Sequence, residues 1–171
     1  MLELKDLPDA DILKKFADRY SEVDIDRVMQ FLTFLRVGTD LSNGLDRYLE
    51  AHALLQGRWW VLVLLMREDD GCSSPSKLAG KAGVSRATMT GLLNSLQRDK
   101  LVTKMVSHED RRQTLIKLTT KGQAKLDEVM PEYYRRVNQL MEVLTEAESK
   151  TLMQIPAKLN QQPVFLLSRI H

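Results

Sequence analysis

The hydrophobic residues of the first third of the chain recur at helical spacing. Pro8 and Asp9 open a short helix, since both residue types are favoured where helices begin. A longer helix is predicted to begin near Asp24 or Asp26, and two internal glycines weaken it without stopping it. The apolar residues that define these patterns are Ile12, Leu13, Phe16 and Tyr20 in the short helix and Val28, Phe31, Leu32, Leu35, Leu41, Leu45, Tyr48 and Leu49 in the long one.

A nearly continuous apolar run, Trp59–Met66, follows between Arg58 and Arg67. It is too dense in apolar residues for a surface helix and too short for a bilayer span, which needs about 18 of them. We therefore predict a buried central helix that is ended by Asp69-Asp70-Gly71.

Two short helices joined by a glycine-containing turn are predicted between Ser74 and Arg98. Ser74 and Ser85 are suitable N-caps, a proline follows Ser74, and Gly83 permits the turn. Such a pair forms a helix-turn-helix, with a plain helical hairpin as the alternative. The inward apolar residues are Leu78, Ala79 and Ala82 in the first helix and Met89, Leu92, Leu93 and Leu96 in the second.

A β-hairpin with a charged tip is predicted next. Residues 101–106 and 114–118 are rich in β-branched residues, and residues 107–113 separate them. A hairpin directly after the second helix of a helix-turn-helix is a wing. Arg111 and Arg112 at its tip suit a narrow minor groove. Alternatively, one of these arginines pairs with Asp110 and stiffens the loop.

The last third of the chain is predicted to be helical and to carry a heptad seam. One helix begins near Thr119 and is bent by Pro131, and a last helix begins with a capping box formed by Thr145 and Glu148. A second copy of the chain would bury the exposed apolar residues, although packing against the chain's own helix at 28–49 is an alternative. The apolar residues are Leu126, Met130, Tyr133, Val137, Leu140 and Leu144, then Leu152, Ile155 and Leu159, and finally Val164, Phe165, Leu166 and Leu167.

The distribution of charge changes this picture more than the net charge of +2 does. Residues 72–125 contain eleven basic and three acidic residues, a net charge of +8, so that the remainder carries −6. A basic centre between acidic flanks indicates a segment that meets a polyanion, whereas a solvated basic face is the alternative. Because the basic centre coincides with the predicted helix pair and hairpin, we favour duplex DNA as the partner.

The sequence offers little for other chemistry. Cys72 is the single cysteine and permits neither an internal disulfide nor a zinc site formed by cysteines. We find no paired acid and nucleophile, no cluster of metal ligands and no glycine-rich phosphate loop, so we expect neither an enzyme nor a cofactor. The first six residues lack the features of a secretion signal, and we expect a cytoplasmic, nucleoid-associated protein without a membrane partner.

Three segments of the sequence resemble the MarR family: residues 76–102, His108–Arg112 and Leu118–Gly122. The Asp-x-Arg wing signature falls on Asp110 and Arg112, and Leu-Thr-x-x-Gly falls on Leu118–Gly122. The resemblance implies a triangular dimer whose terminal helices pair, two winged lobes on adjacent major grooves and, often, repression relieved by a small aromatic ligand. Gly91 departs from the family, which often carries a larger polar or basic residue there.

We therefore predict a mainly α fold with a small β-wing. A winged helix-turn-helix domain at 56–120 is flanked by dimerisation helices at 1–55 and 121–171, and two copies form a homodimer. The DNA-binding candidates are Lys77, Ser85, Arg86, Thr88, Thr90, Asn94, Arg111 and Arg112.

The chemistry of each residue type predicts its role on DNA. Arg86, in the first turn of the second helix, suits guanine, because a bidentate guanidinium contact is the commonest specific one. Ser85 and Lys77 suit phosphates. Thr88 and Thr90 suit a phosphate or a thymine methyl group, or are ordinary surface threonines.

A pocket for a small aromatic effector is predicted where the long helix meets the central one. The candidate residues are Tyr48, His52, Arg58, Trp59 and Trp60. Core tryptophans and a solvated histidine are the alternative interpretation of this cluster. Two further hypotheses stay open: a winged-helix module that binds protein rather than DNA, and a redox-sensing regulator that uses Cys72.

Overall fold

The fold is that of a computed structural model, which describes residues 8–106 and 114–161. It is mainly helical and carries a small sheet, as predicted. The chain divides into two compact units, one ending at Gly122 and one beginning at Gln123. The elements are α1 (Ala10–Ala17), α2 (Ile25–Glu50), α3 (Gln56–Met66), β1 (Cys72–Ser73), α4 (Pro75–Ala82), α5 (Arg86–Arg98), β2 (Val102–Val106), β3 (Thr114–Leu118), α6 (Thr120–Met141) and α7 (Glu146–Gln161).

Side-chain caps fix the starts of four helices in the first unit. In each case a side-chain oxygen accepts a hydrogen bond from the backbone N–H three residues later, which satisfies one of the donors left free at a helix start. These caps confirm the helix starts predicted from the sequence. The capping residues and distances are Asp9 at 2.8 Å, Asp24 at 3.0 Å, Ser74 at 3.3 Å and Ser85 at 3.1 Å.

Helix α3 is buried, as predicted. Trp59, Val61, Leu62 and Leu65 are inaccessible to solvent, and α3 contacts α2, α4, α5 and the sheet. The helix ends at Met66, before the predicted acidic stop, and its start lies at Gln56. Burying these side chains in a common core fixes the inward faces of the elements around them.

The sheet has three antiparallel strands in the order β1-β3-β2. The predicted hairpin pairs β2 with β3 from Val102 opposite Leu118 to Val106 opposite Thr114. The sequence analysis missed β1, because two residues are too few to display an alternating pattern. Its Ser73 pairs with Ile116 and ties the segment after α3 to the wing. The hairpin tip lies outside the described residues.

Helix α2 leaves many apolar side chains exposed. It runs without interruption past both of its predicted weak points, Gly38 and Gly44. The side chains of Phe31, Phe34 and Leu35 are about half exposed. Among the described residues, no helix combines the length and hydropathy that crossing a membrane requires.

Helices α6 and α7 also follow the predicted pattern. Helix α6 continues through Pro131, and α7 begins at the predicted capping box, in which Thr145 N–H donates to a Glu148 carboxylate oxygen at 2.8 Å. The heptad seam is buried at Leu126 but half exposed at Leu140. The predicted apolar terminus, 164–167, lies outside the described residues.

A tight contact joins the end of α5 to the start of α6. Thr119 Oγ1 lies 2.7 Å from the Lys100 carbonyl oxygen and accepts from Gly122 N–H at 3.0 Å. Lys100 itself has a φ of 62°, which is uncommon for a residue with a side chain. A Cβ at position 122 would stand 2.1 Å from the Leu101 carbonyl oxygen. Only glycine fits at this close approach.

Replacing Gly122 with alanine should therefore destabilise the fold. We expect the free energy of unfolding to fall by about 2 kcal/mol, because the added methyl group forces backbone and side chains apart. Chemical denaturation followed by circular dichroism measures the change.

Gly80 provides the matched control, since it is an exposed glycine in α4 whose added Cβ would meet no heavy atom within 4 Å. There the substitution to alanine should raise the free energy of unfolding by about 1 kcal/mol, the difference in helix propensity. Equal changes at the two positions would contradict the close contact at Gly122.

Candidate nucleic-acid interface

Helices α4 and α5 form the predicted helix-turn-helix. Gly83 adopts a left-handed conformation, with a φ of 65°, and the turn closes with a hydrogen bond of 3.1 Å from Val84 N–H to the Ala79 carbonyl. Leu78 and Ala79 of α4 are buried, as are Met89 and Leu93 of α5. Since these side chains fix the inward face of α5, its opposite face points to solvent.

The predicted recognition residues occupy that outward face. Ser85, Arg86, Thr88, Thr90 and Asn94 are all exposed. Ser85 Oγ lies 2.9 Å from Thr88 Oγ1, and Thr90 Oγ1 donates to the Arg86 carbonyl at 2.9 Å. In contrast, the Arg86 guanidinium forms no ion pair within the described part of the chain. It is therefore available to an external acceptor.

The wing supplies a basic residue that the sequence analysis did not select. Lys104, exposed on β2, places its Nζ 3.4 Å from Asn94 Oδ1 on α5. A cation and an amide thus stand side by side where the wing meets α5. The pairing depends on how the hairpin packs against α5, so spacing along the chain gave no signal for it.

Gly91 leaves a gap on the same outward face. It is exposed, and a Cβ built there would meet no heavy atom within 4 Å. Position 91 therefore contributes only backbone to the surface of α5.

Lys77, predicted to contact a phosphate, forms an ion pair inside the protein. Its Nζ lies 3.0 Å from Glu68 Oε2, and Lys81 binds the other oxygen of the same carboxylate. These two ammonium groups, Lys81 first, hold the pKa of Glu68 below its ordinary value of 4.5. The Glu68 side chain is 14% exposed. Sequence reasoning missed Glu68 because it precedes α4 by several residues.

The five predicted ligand residues have different surroundings. Trp59 is fully buried, whereas Trp60 is 40% exposed. Arg58 forms an ion pair of 2.5 Å with Asp99. The rings of Tyr48 and His52 meet edge to face with centroids 4.9 Å apart. Whether these residues bind a ligand stays a prediction.

Two open grooves lie on the helices that were predicted to dimerise. A groove of about 500 Å³ runs along α2, and a second of about 370 Å³ runs along α7. None of the five predicted ligand residues lines either groove. The α2 groove is lined by Phe34, Leu35, Gly38, Thr39, Ser42, Asn43 and Asp46, and the α7 groove by Leu144, Ala147, Glu148, Thr151, Leu152 and Ile155.

Cys72 is placed poorly for redox sensing. Its Sγ lies 3.8 Å from Met105 Sδ. Burial and then the Asp70 carboxylate raise the pKa of the Cys72 thiol above its ordinary value of 9.0. A sensor cysteine requires the reactive thiolate, which this environment disfavours. No group of three potential metal ligands occurs within 8–106 and 114–161.

Both wing arginines that were predicted to enter the minor groove, Arg111 and Arg112, lie outside the described residues. Their proposed partner Asp110 does so as well. Their role stays a prediction that the sequence alone supports.

A family model and two characterised relatives match this chain, and all of them concern transcriptional regulators. The model described as "MarR family" matches residues 57–114. The HTH-type transcriptional repressor YetL of Bacillus subtilis is 31% identical over 147 residues, which cover 86% of this chain and 88% of that protein. The transcriptional repressor MprA of Escherichia coli K12 is 26% identical, over 89% of this chain and 86% of that one.

Solved structures share the fold. The DNA complex of Sco3205, a MarR family transcriptional regulator from Streptomyces coelicolor, has a TM-score of 0.75 at 22% identity and covers 83% of this chain and 95% of that chain. The complex of NadR with 4-hydroxyphenylacetate has a TM-score of 0.61 at 24% identity, with 76% and 91% covered. The winged helix-turn-helix fold is thus the one that these structures share.

The Glu68 ion pairs predict how stability depends on pH. Because the folded state lowers the pKa of Glu68, the carboxylate stabilises the protein above the pKa of the unfolded chain, and this contribution is lost as the pH falls through the folded pKa. Wild-type protein should therefore unfold at a higher temperature than Glu68→Gln at pH 7. The difference should shrink below pH 4.5 and vanish once Glu68 is protonated.

Thermal unfolding at low ionic strength across this pH range measures the effect, since salt screens exposed pairs. Glu142→Gln is the control, because Glu142 is exposed and has no ion pair among the described residues. A difference between wild type and Glu68→Gln that persists at the acid end would exclude the ion pairs as its source.

Proposed function

Since the chain belongs to the MarR family of transcriptional regulators, we propose that it binds a pseudo-palindromic operator as a homodimer and represses the adjacent genes. The family and the relatives are DNA-binding regulators rather than enzymes. One observation carries the proposal: the outward face of α5 presents Arg86, which has no ion pair among the described residues, and Asn94, beside which Lys104 of the wing stands. A surface of this kind suits the major groove of duplex DNA.

In the proposed complex, α5 reads base edges and its surroundings hold the backbone. Arg86 contacts a guanine through two hydrogen bonds, and Asn94, beside Lys104, lies farther along the groove. Ser85, Thr88 and Thr90 contact phosphates or a thymine methyl group. Lys77 binds a phosphate by exchanging Glu68 for it. The wing arginines, Arg111 and Arg112, enter the adjacent minor groove.

The homodimer is supported by apolar surface on the outer helices. We propose that residues 1–55 and 121–171 form the dimer interface and that 56–120 form the DNA-binding domain. The half-exposed side chains of α2 and α7 would be buried by a second copy, as is usual for large apolar patches. Two-fold symmetry then sets the half-sites about one helical turn, roughly 34 Å, apart.

A small aromatic or phenolic effector completes the proposal. Tyr48 and His52 are partly exposed and Trp60 is 40% exposed, so their rings can contact such a molecule. Trp59 is buried, and Arg58 is 13% exposed and paired with Asp99. Support comes from NadR, whose structure holds 4-hydroxyphenylacetate. Repression is supported by the names of the relatives YetL and MprA.

Selection of bound fragments from genomic DNA, followed by titrations at several salt concentrations, tests operator binding. Affinity should fall steeply with salt, with a slope of about −0.9 for each neutralised phosphate. A chain that binds no duplex even at low salt would instead be a winged-helix module for protein partners.

Two single substitutions distinguish a contact to a base from a contact to the phosphate backbone. Arg86→Ala should weaken operator binding by about 1–3 kcal/mol and relax the preference at one base pair, because it removes a base contact. Lys77→Ala should weaken binding to all sequences alike and reduce the salt slope by about 1. Titrations of the operator, single-base variants of it and random duplex measure both effects. Parallel losses on every duplex for both variants would overturn the assigned roles.

The dimer interface is tested on α7. Ile155→Glu should raise the dimer dissociation constant by at least about tenfold, because dimerisation would bury an unpaired carboxylate. Sedimentation equilibrium measures the constant. Gln154→Glu is the matched control, since it adds the same charge at an exposed polar position of the same helix. An unchanged constant for Ile155→Glu would remove α7 from the interface.

A further inference from the structure

The first turn of α3 touches two other helices through three successive residues. Arg58 reaches Asp99, the C-cap residue of α5, with its Nη2 2.5 Å from Asp99 Oδ2. The side chain of Arg58 is only 13% exposed. Its Nε is buried and has no hydrogen-bond partner among the described residues. A buried guanidinium loses its hydration, so Asp99 is the partner that holds it in place.

Gly57 brings α5 close to the same turn. A Cβ at position 57 would stand 3.0 Å from Leu92 Cδ2 of α5. The Leu92 side chain thus packs against the backbone of α3. Side-chain packing and the ion pair therefore fix α5 at two levels, near its middle and at its end.

Gln56 connects the same turn of α3 to α2 through hydrogen bonds. Its Nε2 lies 3.0 Å from the carbonyl oxygen of Ser42 and 3.0 Å from Ser42 Oγ. The segment Gln56–Arg58 consequently connects α2, a helix of the proposed dimer interface, with α5.

The end of α5 also contacts the start of α6 and Thr119, the residue that precedes it. The Asp99 carbonyl accepts from Lys121 Nζ at 3.0 Å, and the following carbonyls meet Thr119 Oγ1. Helix α5 has 13 residues, a length of about 20 Å. A tilt of about 5° at the Asp99 end would move Arg86 at the other end by roughly 2 Å, enough to break a hydrogen bond to a base.

We infer that the turn Gln56–Arg58 is a positioning element for DNA recognition, and that Arg58 acts through Asp99 to set the angle at which α5 enters the groove. The inference rests on the proposed function and adds the residues that align the reading helix. Arg58 is thereby a positioning residue, which touches Asp99 rather than DNA.

Whether one substitution raises or lowers the affinity for the operator distinguishes this positioning role from a general effect of charge. Asp99 is an anion at the end of a helix that faces a polyanion, so its removal by itself favours DNA binding. If Arg58 and Asp99 align α5, Asp99→Asn should instead weaken operator binding. We expect a loss of about tenfold, the scale of one misaligned base contact, with affinity for random duplex unchanged or slightly higher.

The experiment compares full-length Asp99→Asn with wild type in operator and random-duplex titrations, in thermal unfolding and in hydrogen exchange without DNA. Amides at 97–101 should exchange faster in the variant while the unfolding temperature stays within a few degrees. Asp99→Glu, which keeps the charge, should recover most of the operator affinity. Gln56→Ala should also speed exchange at 97–101, because it loosens the same turn from α2.

Asp69→Asn is the matched control, since it changes the charge identically at an exposed position in the turn after α3, outside the proposed dimer interface. It should leave operator selectivity and exchange at 97–101 as in wild type. Operator and random-duplex affinity that rise together in Asp99→Asn, or unchanged exchange at 97–101, would overturn the inference. Failure of wild type to bind any duplex would refute the proposed function, while the exchange result would still decide whether Arg58 and Gln56 fix α5.

Discussion

Burial of α3 is the constraint on which the first unit depends. Trp59, Leu62 and Leu65 are removed from solvent, and elements before and after α3 in the chain pack around it. A helix in contact with so many neighbours fixes the inward face of each, because close-packed side chains tolerate little rotation. The outward face of α5 follows from this constraint. The face of α5 that we propose contacts DNA is thus determined by which of its side chains the core buries.

The features that the sequence predicted are those set by near neighbours along the chain. Helix starts at Ser74 and Ser85 depend on a side chain three residues from its backbone partner, and the turn at Gly83 depends on one residue's conformational freedom. The inward stripe of α5 depends on a period of 3.6 residues. Such signals lie within a window of a few residues, so reasoning from periodicity and caps found the helix-turn-helix, the hairpin and the exposed residues of α5.

The features that the sequence did not predict join residues that are distant along the chain. The pairs Glu68–Lys77, Asn94–Lys104 and Arg58–Asp99 are separated by 9, 10 and 41 residues. Each pair depends on how two elements pack, which no local pattern encodes. Arg58 illustrates the difference: the sequence made it a candidate for the effector pocket, whereas the fold pairs it with the carboxylate of Asp99. Lys77 likewise has an internal acceptor, so its availability to phosphate depends on an exchange of partners.

The open space above Gly91 has a consequence for how the DNA sequence preference of such proteins can change during evolution. A Cβ added there would meet no heavy atom within 4 Å, and it would lie in the middle of the face of α5 that we propose contacts DNA. In the proposed complex, a single replacement at position 91 would therefore change the base preference without a compensating change in the core. Position 91 is therefore the first residue to vary when such a protein is to be directed to a different target sequence. A comparison of the same position between paralogues would test whether it helped them to bind different subsets of one ancestral set of sites.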